Sequence, residues 1–184
     1  MRNLISLAHI SLDGFMAGPN GEMNFLTFDK ELQDHVYPLM ASVDTAVYGR
    51  ITYQMMDSYW PGEVDAKDDH ARNHARWYRD VAKIVASRTL TESKPNVRVF
   101  GNDIVDAVRA EKEKAGGDIM IFASPTLTHA LADLVDEYRI TIHPVIIGGT
   151  LPLFAHKGQR AKLELRSSKT FGSGVIAARY MAKR

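Results

Sequence analysis

The sequence predicts an α/β protein of three layers built on a mixed, mainly parallel sheet. Three observations carry this. Several short apolar runs, such as Leu4–Leu12, lack clean alternation, as strands buried on both faces do. They are separated by segments whose apolar residues recur at three and four, which is the helical period. The chain then closes on two strand-like runs, 161–168 and 175–181, joined across Phe171-Gly-Ser-Gly174, an antiparallel finish.

The elements follow in order. Leu4–Leu12 is a strand with His9 inside it, where a lone histidine is by default a core residue. Asp13-Gly14 ends it. Gly14, Gly18, Pro19 and Gly21 then form a loop, the kind that serves as a mobile lid on a rigid sheet. Its glycine spacing does not fit G-x-G-x-x-G. Residues 29–43 predict a helix from Leu32, Val36, Leu39, Met40 and Val43, with Thr27 or Asp29 as cap and Pro38 predicting a kink or break. Residues 43–48 are the second strand. Ser58–Gly62 is an aromatic turn in which Trp60 lines a pocket or packs at a core edge.

Residues 68–80 are polar and helical. His70 and His74 stand four apart at metal-ligand spacing, but without a third ligand a solvated helix face is the better reading. Strands are predicted at 81–86, 97–100 and 118–123, and a longer one at 138–147. Helices are predicted at 104–114, closed by Gly116-Gly117, and at 126–135, opened by Ser124-Pro125.

Chemistry gathers where strands hand over to helices. In Val47-Tyr-Gly-Arg-Ile-Thr52 a strand feeds a helix through Gly49. Free backbone N–H groups at a helix start, with the helix dipole, attract an anion. Arg50 adds a guanidinium fork and Thr52 a hydroxyl, so the stretch reads as a phosphate cradle, or else as an ordinary turn with a solvated arginine. Ser87-Arg88-Thr89 repeats the hydroxyl and guanidinium theme at the next strand end, and Ser124 supplies a third junction. In open α/β sheets ligands sit at that edge.

Composition narrows the classes. The chain has 184 residues, 45% hydrophobic and 24% charged, with net charge +1 and no cysteine. Disulfides, thiolate metal sites and a cysteine nucleophile are excluded. No basic run marks a nucleic-acid surface, and no apolar run reaches the ~18 residues of a membrane span. The N-terminus runs straight into a strand without a signal-peptide pattern, so a cytoplasmic protein is expected. No nucleophile elbow or Ser-His-Asp order suggests a hydrolase.

Taken together, several blocks resemble the dihydrofolate-reductase-like family, in particular the branch that includes the reductase domain of the riboflavin-biosynthesis deaminase–reductase. The carriers are Ser11–Gly18, Gly21–Phe25, Tyr48–Tyr53, Lys83–Leu90, Ser124–His129, Leu134–Arg139 and His143–Gly149. Their order and spacing cover nearly the whole chain. The resemblance implies a three-layer dihydrofolate-reductase-like domain over 1–184 that binds NADPH. Gly49, Arg50 and Thr52 match the turn holding the cofactor phosphates, and Ser87, Arg88 and Thr89 the loop at the adenosine end. Ala123, Ser124, Thr126 and Leu127 match the family's Gly-Gly or Gly-Ser junction beneath the cofactor, where the peptide bond is often cis. Ala123 departs from that pattern, and its methyl group could crowd the pyrophosphate. Ala8, His9 and Ala17 match positions around the nicotinamide, with His9, Phe25 and Trp60 toward the substrate. Asp29 is near the family's catalytic carboxylate, and equally suits a helix N-cap. No metal is implied. The resemblance implies a homodimer acting on a small molecule, with no nucleic-acid or membrane partner. The expected activity is an NADPH-dependent reduction of a C=N or C=O carbon in a pteridine- or ribosylaminopyrimidine-like heterocycle. A non-catalytic nucleotide-binding protein and a purely structural module are the alternatives.

Overall fold

Strand β1 (Leu4–Ser11) lies near the middle of the sheet, and its two faces are sorted by parity. Leu4 and Ala8 enter one buried cluster and Ile5 and Leu7 the other. Strand β5 (Asp118–Phe122) does the same, with Ile119 and Ile121 on one face and Met120 and Phe122 on the opposite one. Period-two side-chain direction with apolar residues at every position makes a sheet that must be covered twice.

A computed structural model describes residues 1–154 and 161–183. Among these residues the sheet has eight strands in the order β4-β3-β2-β5-β1-β6-β8-β7. The others are β2 (Val43–Gly49), β3 (Ala82–Ala86), β4 (Val97–Phe100), β6 (Glu137–His143), β7 (Leu163–Thr170) and β8 (Ile176–Ala182). Strands β1 to β6 pair in parallel, while β8 runs antiparallel to both β6 and β7. The mixed, mainly parallel sheet with an antiparallel C-terminal pair is therefore as the sequence predicts.

Helices α4 (Ile104–Lys112) and α5 (Pro125–Ala130) cover the face of Leu4, Val47 and Ile121 through Ile104, Val108 and Leu127. The opposite face carries α1 (Lys30–Ser42), α2 (Arg50–Tyr59), a 3₁₀ turn (Trp60–Glu63) and α3 (Asp69–Asp80), through Met40, Tyr53 and Tyr78. Leu32 and Val36 of α1 also meet Phe171 and Val175, tying the β7–β8 hairpin to the helical layer.

Four boundaries differ from expectation. Helix α1 runs unbroken past Pro38. Pro38 costs one hydrogen bond, while Leu32, Val36 and Met40 hold the stripe on the sheet. Helix α4 ends at Lys112 and α5 at Ala130, short of 114 and 135. Leu131 and Val135 remain in the core, but the chain reaches them through turns. Strand β6 stops at His143 because Pro144 has no N–H for the ladder.

The glycine loop is also less free than expected. Asp13 accepts from the Ser11 hydroxyl at 2.6 Å and from Gly148 N at 2.9 Å. Met16 N donates to Leu151 O at 2.8 Å, and Leu153 N to Gly14 O at 3.0 Å. The first half of the loop is thus stapled to 147–153.

Candidate active site

Strands β1, β2, β3 and β5 end on the same edge, and the residues of interest follow those ends. Gly49 precedes α2 with extended backbone (φ −73°, ψ 156°), and no side chain caps the helix. Its first N–H groups therefore remain available to a ligand. Arg50 is exposed, bonded to Gln54 Oε1 at 3.0 Å, and Arg88 is exposed on the neighbouring strand end. Neither is paired with a carboxylate among the described residues. Ser87 turns its hydroxyl onto its own loop, accepting from Thr89 N at 3.2 Å and Leu90 N at 2.9 Å.

Helix α5 starts beside α2. A Cβ added to Gly49 would sit 2.9 Å from Ser124 Oγ. Thr52 donates its hydroxyl to Ala123 O at 3.5 Å. Every peptide bond described is trans, so the expected cis junction at 123–124 is absent. Ala123 instead takes φ +42°, the left-handed region in which a non-glycine residue is strained. Its carbonyl turns toward Thr52, and Ala occupies the glycine position by bending the backbone rather than by isomerising it. Thr126 is exposed near the start of α5, but Leu127 is buried in the core, so only its backbone can face a ligand. Ala8, within β1, and Ala17, in the glycine loop, are both buried.

Beyond Ala123 opens a cleft of about 410 Å³. Its walls are mainly apolar and include Phe28, Met56, Trp60 and Phe122. His9, Trp60 and Ala123 are the predicted site residues that line it. Phe25 stands behind, its ring edge-on to His143 at 5.8 Å. Asp29 is not in the wall. It caps α1 by accepting from Leu32 N at 2.9 Å, and this bond holds its carboxyl below the usual range. A capped, ionised carboxylate is poorly placed to deliver a proton, so the N-cap alternative describes what the structure contains.

The histidines are the residues that sequence reasoning underread. His74 stacks on Trp60 at 3.8 Å, 17° from parallel, and burial pushes it down to about 3. It belongs to the cleft wall with His70, so their expected solvated face is corrected. Two polar atoms, His70 Nδ1 and His74 Nε2, are buried without a partner among the described residues. No group of three or more possible metal-ligating side chains occurs among those residues. His143, fully buried at the end of β6, accepts from Thr27 N at 3.1 Å through Nδ1 and faces His9 Nδ1 with Nε2 at 3.5 Å. Burial and the nearby His143 push His9 down to about 4. Parity within β1 could have hinted at His9, but the His143 contact depends on strand pairing that no local signal encodes.

Comparison with known proteins agrees with this geometry. The family model "RibD C-terminal domain" matches residues 2–177. An uncharacterized protein of Bacillus subtilis (strain 168), YyaP, is 34% identical over 182 residues, covering 97% of this chain and 94% of YyaP. The crystal structure of a putative riboflavin biosynthesis protein from Shewanella sp. PV-4 is similar with TM-score 0.73 and 23% identity, covering 99% of both chains. A dihydrofolate reductase from Enterococcus faecalis complexed with NADP(H) has TM-score 0.66 and 13% identity, covering 99% of this chain and 97% of that one. No helix among the described residues is long and apolar enough to cross a membrane. With its sheet order, the strand-end junctions and a match across 2–177, the chain belongs to the RibD C-terminal domain family and has the dihydrofolate-reductase-like fold.

Proposed function

We propose that this protein is an NADPH-dependent reductase that delivers hydride to a C=N or C=O carbon of a small heterocycle. The observation that carries this reading is the position of Ala123. Its carbonyl meets Thr52 of the anion-binding edge, and the same residue lines the apolar cleft. A cofactor held by its phosphates along Gly49, Arg50 and Ser124 would thus end beside a water-poor pocket. The residues fit NADPH: uncapped helix N–H groups take the pyrophosphate, and the unpaired guanidiniums of Arg50 and Arg88 take a 2′-phosphate. NADPH supplies the hydride when bound. The chain's own part is to orient the ring against β1, exclude water through Phe28 and Trp60, and hold the acceptor carbon near contact. The solved dihydrofolate reductase of this fold carries NADP(H) in its complex, which supports the choice of cofactor.

A second reading, a nucleotide-binding protein without turnover, is favoured by one observation: the charged side chain in the cleft wall, Asp68, is used to cap α3, accepting from Ala71 N at 2.8 Å. The two are separated by calorimetry with NADPH and NADH, followed by NADPH oxidation against a panel of cyclic imines and carbonyls. Tight NADPH binding with turnover supports the reductase. Binding without turnover across the panel supports the second reading, and no binding removes both. The protein is further proposed to act as a cytoplasmic homodimer. A monomeric mass in light scattering, or cofractionation with membranes, would count against the respective part.

A further inference from the structure

The cleft is unusual in its charge. Among the described residues of its wall, Asp68 alone carries a charge once the histidines are neutral. An adjoining groove between α1 and α3, about 500 Å³, shares Gln33, Asp68 and His70 with it. That groove adds Lys30, Lys67, Asp34 and Asp69, and Lys30 is already bonded to Asp34 at 2.9 Å. Asp69 is likewise paired with Arg72, so Lys67 is the groove's ammonium group without an ion pair among the described residues. Within the cleft itself a phosphate on a bound substrate would be desolvated beside Asp68, with no cation among the described wall residues. The unpaired guanidiniums of Arg50 and Arg88 do not line this cleft; they follow β2 and β3.

One polar feature of the cleft is an oriented donor. A backbone N–H can only donate, so Thr27 N fixes Nδ1 of His143 as an acceptor. Neutral His143 then carries its proton on Nε2 and donates it to His9 Nδ1. Neutral His9 in turn carries its proton on Nε2. That N–H has no acceptor among the described residues, and the His9 ring forms part of the cleft wall beside Phe28, at 5.6 Å between ring centres. The chain Thr27, His143, His9 thus sets one tautomer and leaves one free donor on a ring that lines the cleft.

We propose that the substrate of this cleft is an unphosphorylated, uncharged planar ring compound that presents a carbonyl oxygen or ring nitrogen to the Nε2–H of His9. The inference rests on the reductase reading for what the occupant is used for, but the binding preference stands on the cleft itself. It departs from a phosphoribosyl substrate. The described cleft wall would meet such a phosphate with Asp68 and no cation, while Phe28, Met56 and Trp60 suit a flat apolar-faced ring.

Three probes test it by calorimetry, with the protein alone and again with saturating NADPH: the pteridine dione lumazine, uridine, and uridine 5′-monophosphate. Lumazine and uridine are expected to bind, and the monophosphate about tenfold more weakly than uridine or less. His9→Ala is expected to weaken lumazine about tenfold, while His9→Gln, which keeps an N–H donor, stays within about threefold of the parent. The inference is overturned if the monophosphate binds as well as uridine, if His9→Ala changes nothing in a folded protein, or if no probe binds. A separate NADPH titration keeps the two readings apart. Probe selectivity without NADPH binding removes the reductase and keeps the ligand class. NADPH binding with preference for the monophosphate does the reverse.

Discussion

The imidazole of His74 lies 3.8 Å from the indole of Trp60, 17° from parallel, and the stacked pair forms part of the cleft wall. Burial, reinforced by His70, holds His74 at about 3, and burial with His143 holds His9 at about 4, both from an ordinary 6.5. A histidine depressed in the folded state binds its proton more readily when unfolded. Its contribution to stability is complete above 6.5 and is lost as the pH falls through that value toward 4 and 3. Between about pH 7 and about pH 5 each group is expected to cost on the order of 2 kcal/mol. Urea unfolding at the two pH values measures the loss. His74→Phe keeps a flat ring on Trp60 and is expected to remove the share that His74 contributes. An unchanged pH profile in that variant would show that His74 titrates normally.

Arg50 and Arg88 stand on adjacent strand ends without acidic partners among the described residues. Removing a guanidinium that grips a phosphate is expected to cost about 1.5–3 kcal/mol of NADPH affinity. Arg50→Ala and Arg88→Ala should therefore weaken NADPH by roughly tenfold or more while leaving NADH, which lacks the 2′-phosphate, closer to its parent value. Calorimetric titrations of both nucleotides check this. Equal losses for NADH and NADPH would place the arginines on the pyrophosphate or off the cofactor. Because both side chains are exposed, thermal stability should barely move.

The sheet and its strand-end junctions were legible because their signals are local. Unalternating apolar runs mark strands buried twice, and Gly49-Arg50 announces a helix start with its own charge. What could not be read was assembled from distant parts. The cleft wall takes His9 from β1, Phe28 from the loop, Trp60 from the 3₁₀ turn and His74 from α3. Polarity made α3 look solvated, yet its His74 and Tyr78 turn inward. The overlong strand at 138–147 arose because Val145, Ile146 and Ile147 look like strand residues. Ile146 is 73% exposed and lies past Pro144, so apolarity there reflects no ladder.

The stapled loop offers a separate test. A Cβ on Gly149 would overlap the Ala17 carbonyl oxygen and sit 2.8 Å from Phe15 Cβ. Backbone cannot give way as a side-chain end can, so Gly149→Ala is expected to push the loop from 147–153. The cost is expected at about 1–3 kcal/mol, typical of overpacking. Differential scanning calorimetry should register it, and NADPH affinity should fall with it because Ala17 of this loop meets Gly149. Gly62→Ala, which meets open space, is the matched control. A Gly149→Ala protein as stable as that control would mean the two segments are not packed as described.

The junction of α2 and α5 can be tested by pairing two changes. Gly49 has φ −73°, a value any residue adopts, so Gly49→Ala adds volume without backbone strain. The added methyl would meet Ser124 Oγ at 2.9 Å, while Ser124 Cβ stays 3.8 Å away. Deleting that oxygen should therefore relieve the contact. Gly49→Ala alone is expected to weaken NADPH and to cost a modest amount of stability, about 1 kcal/mol. Ser124→Ala alone should cost little stability, since its hydroxyl caps nothing in α5. Combined, the two should be less destabilising than their sum, a coupling that contact between the sites produces and independent sites do not. If stability alone recovers in the double variant while NADPH affinity stays low, the methyl group itself blocks the phosphate path at Gly49. If both recover, the loss came from displacing Ser124, and the cofactor approaches on the α5 side of the junction.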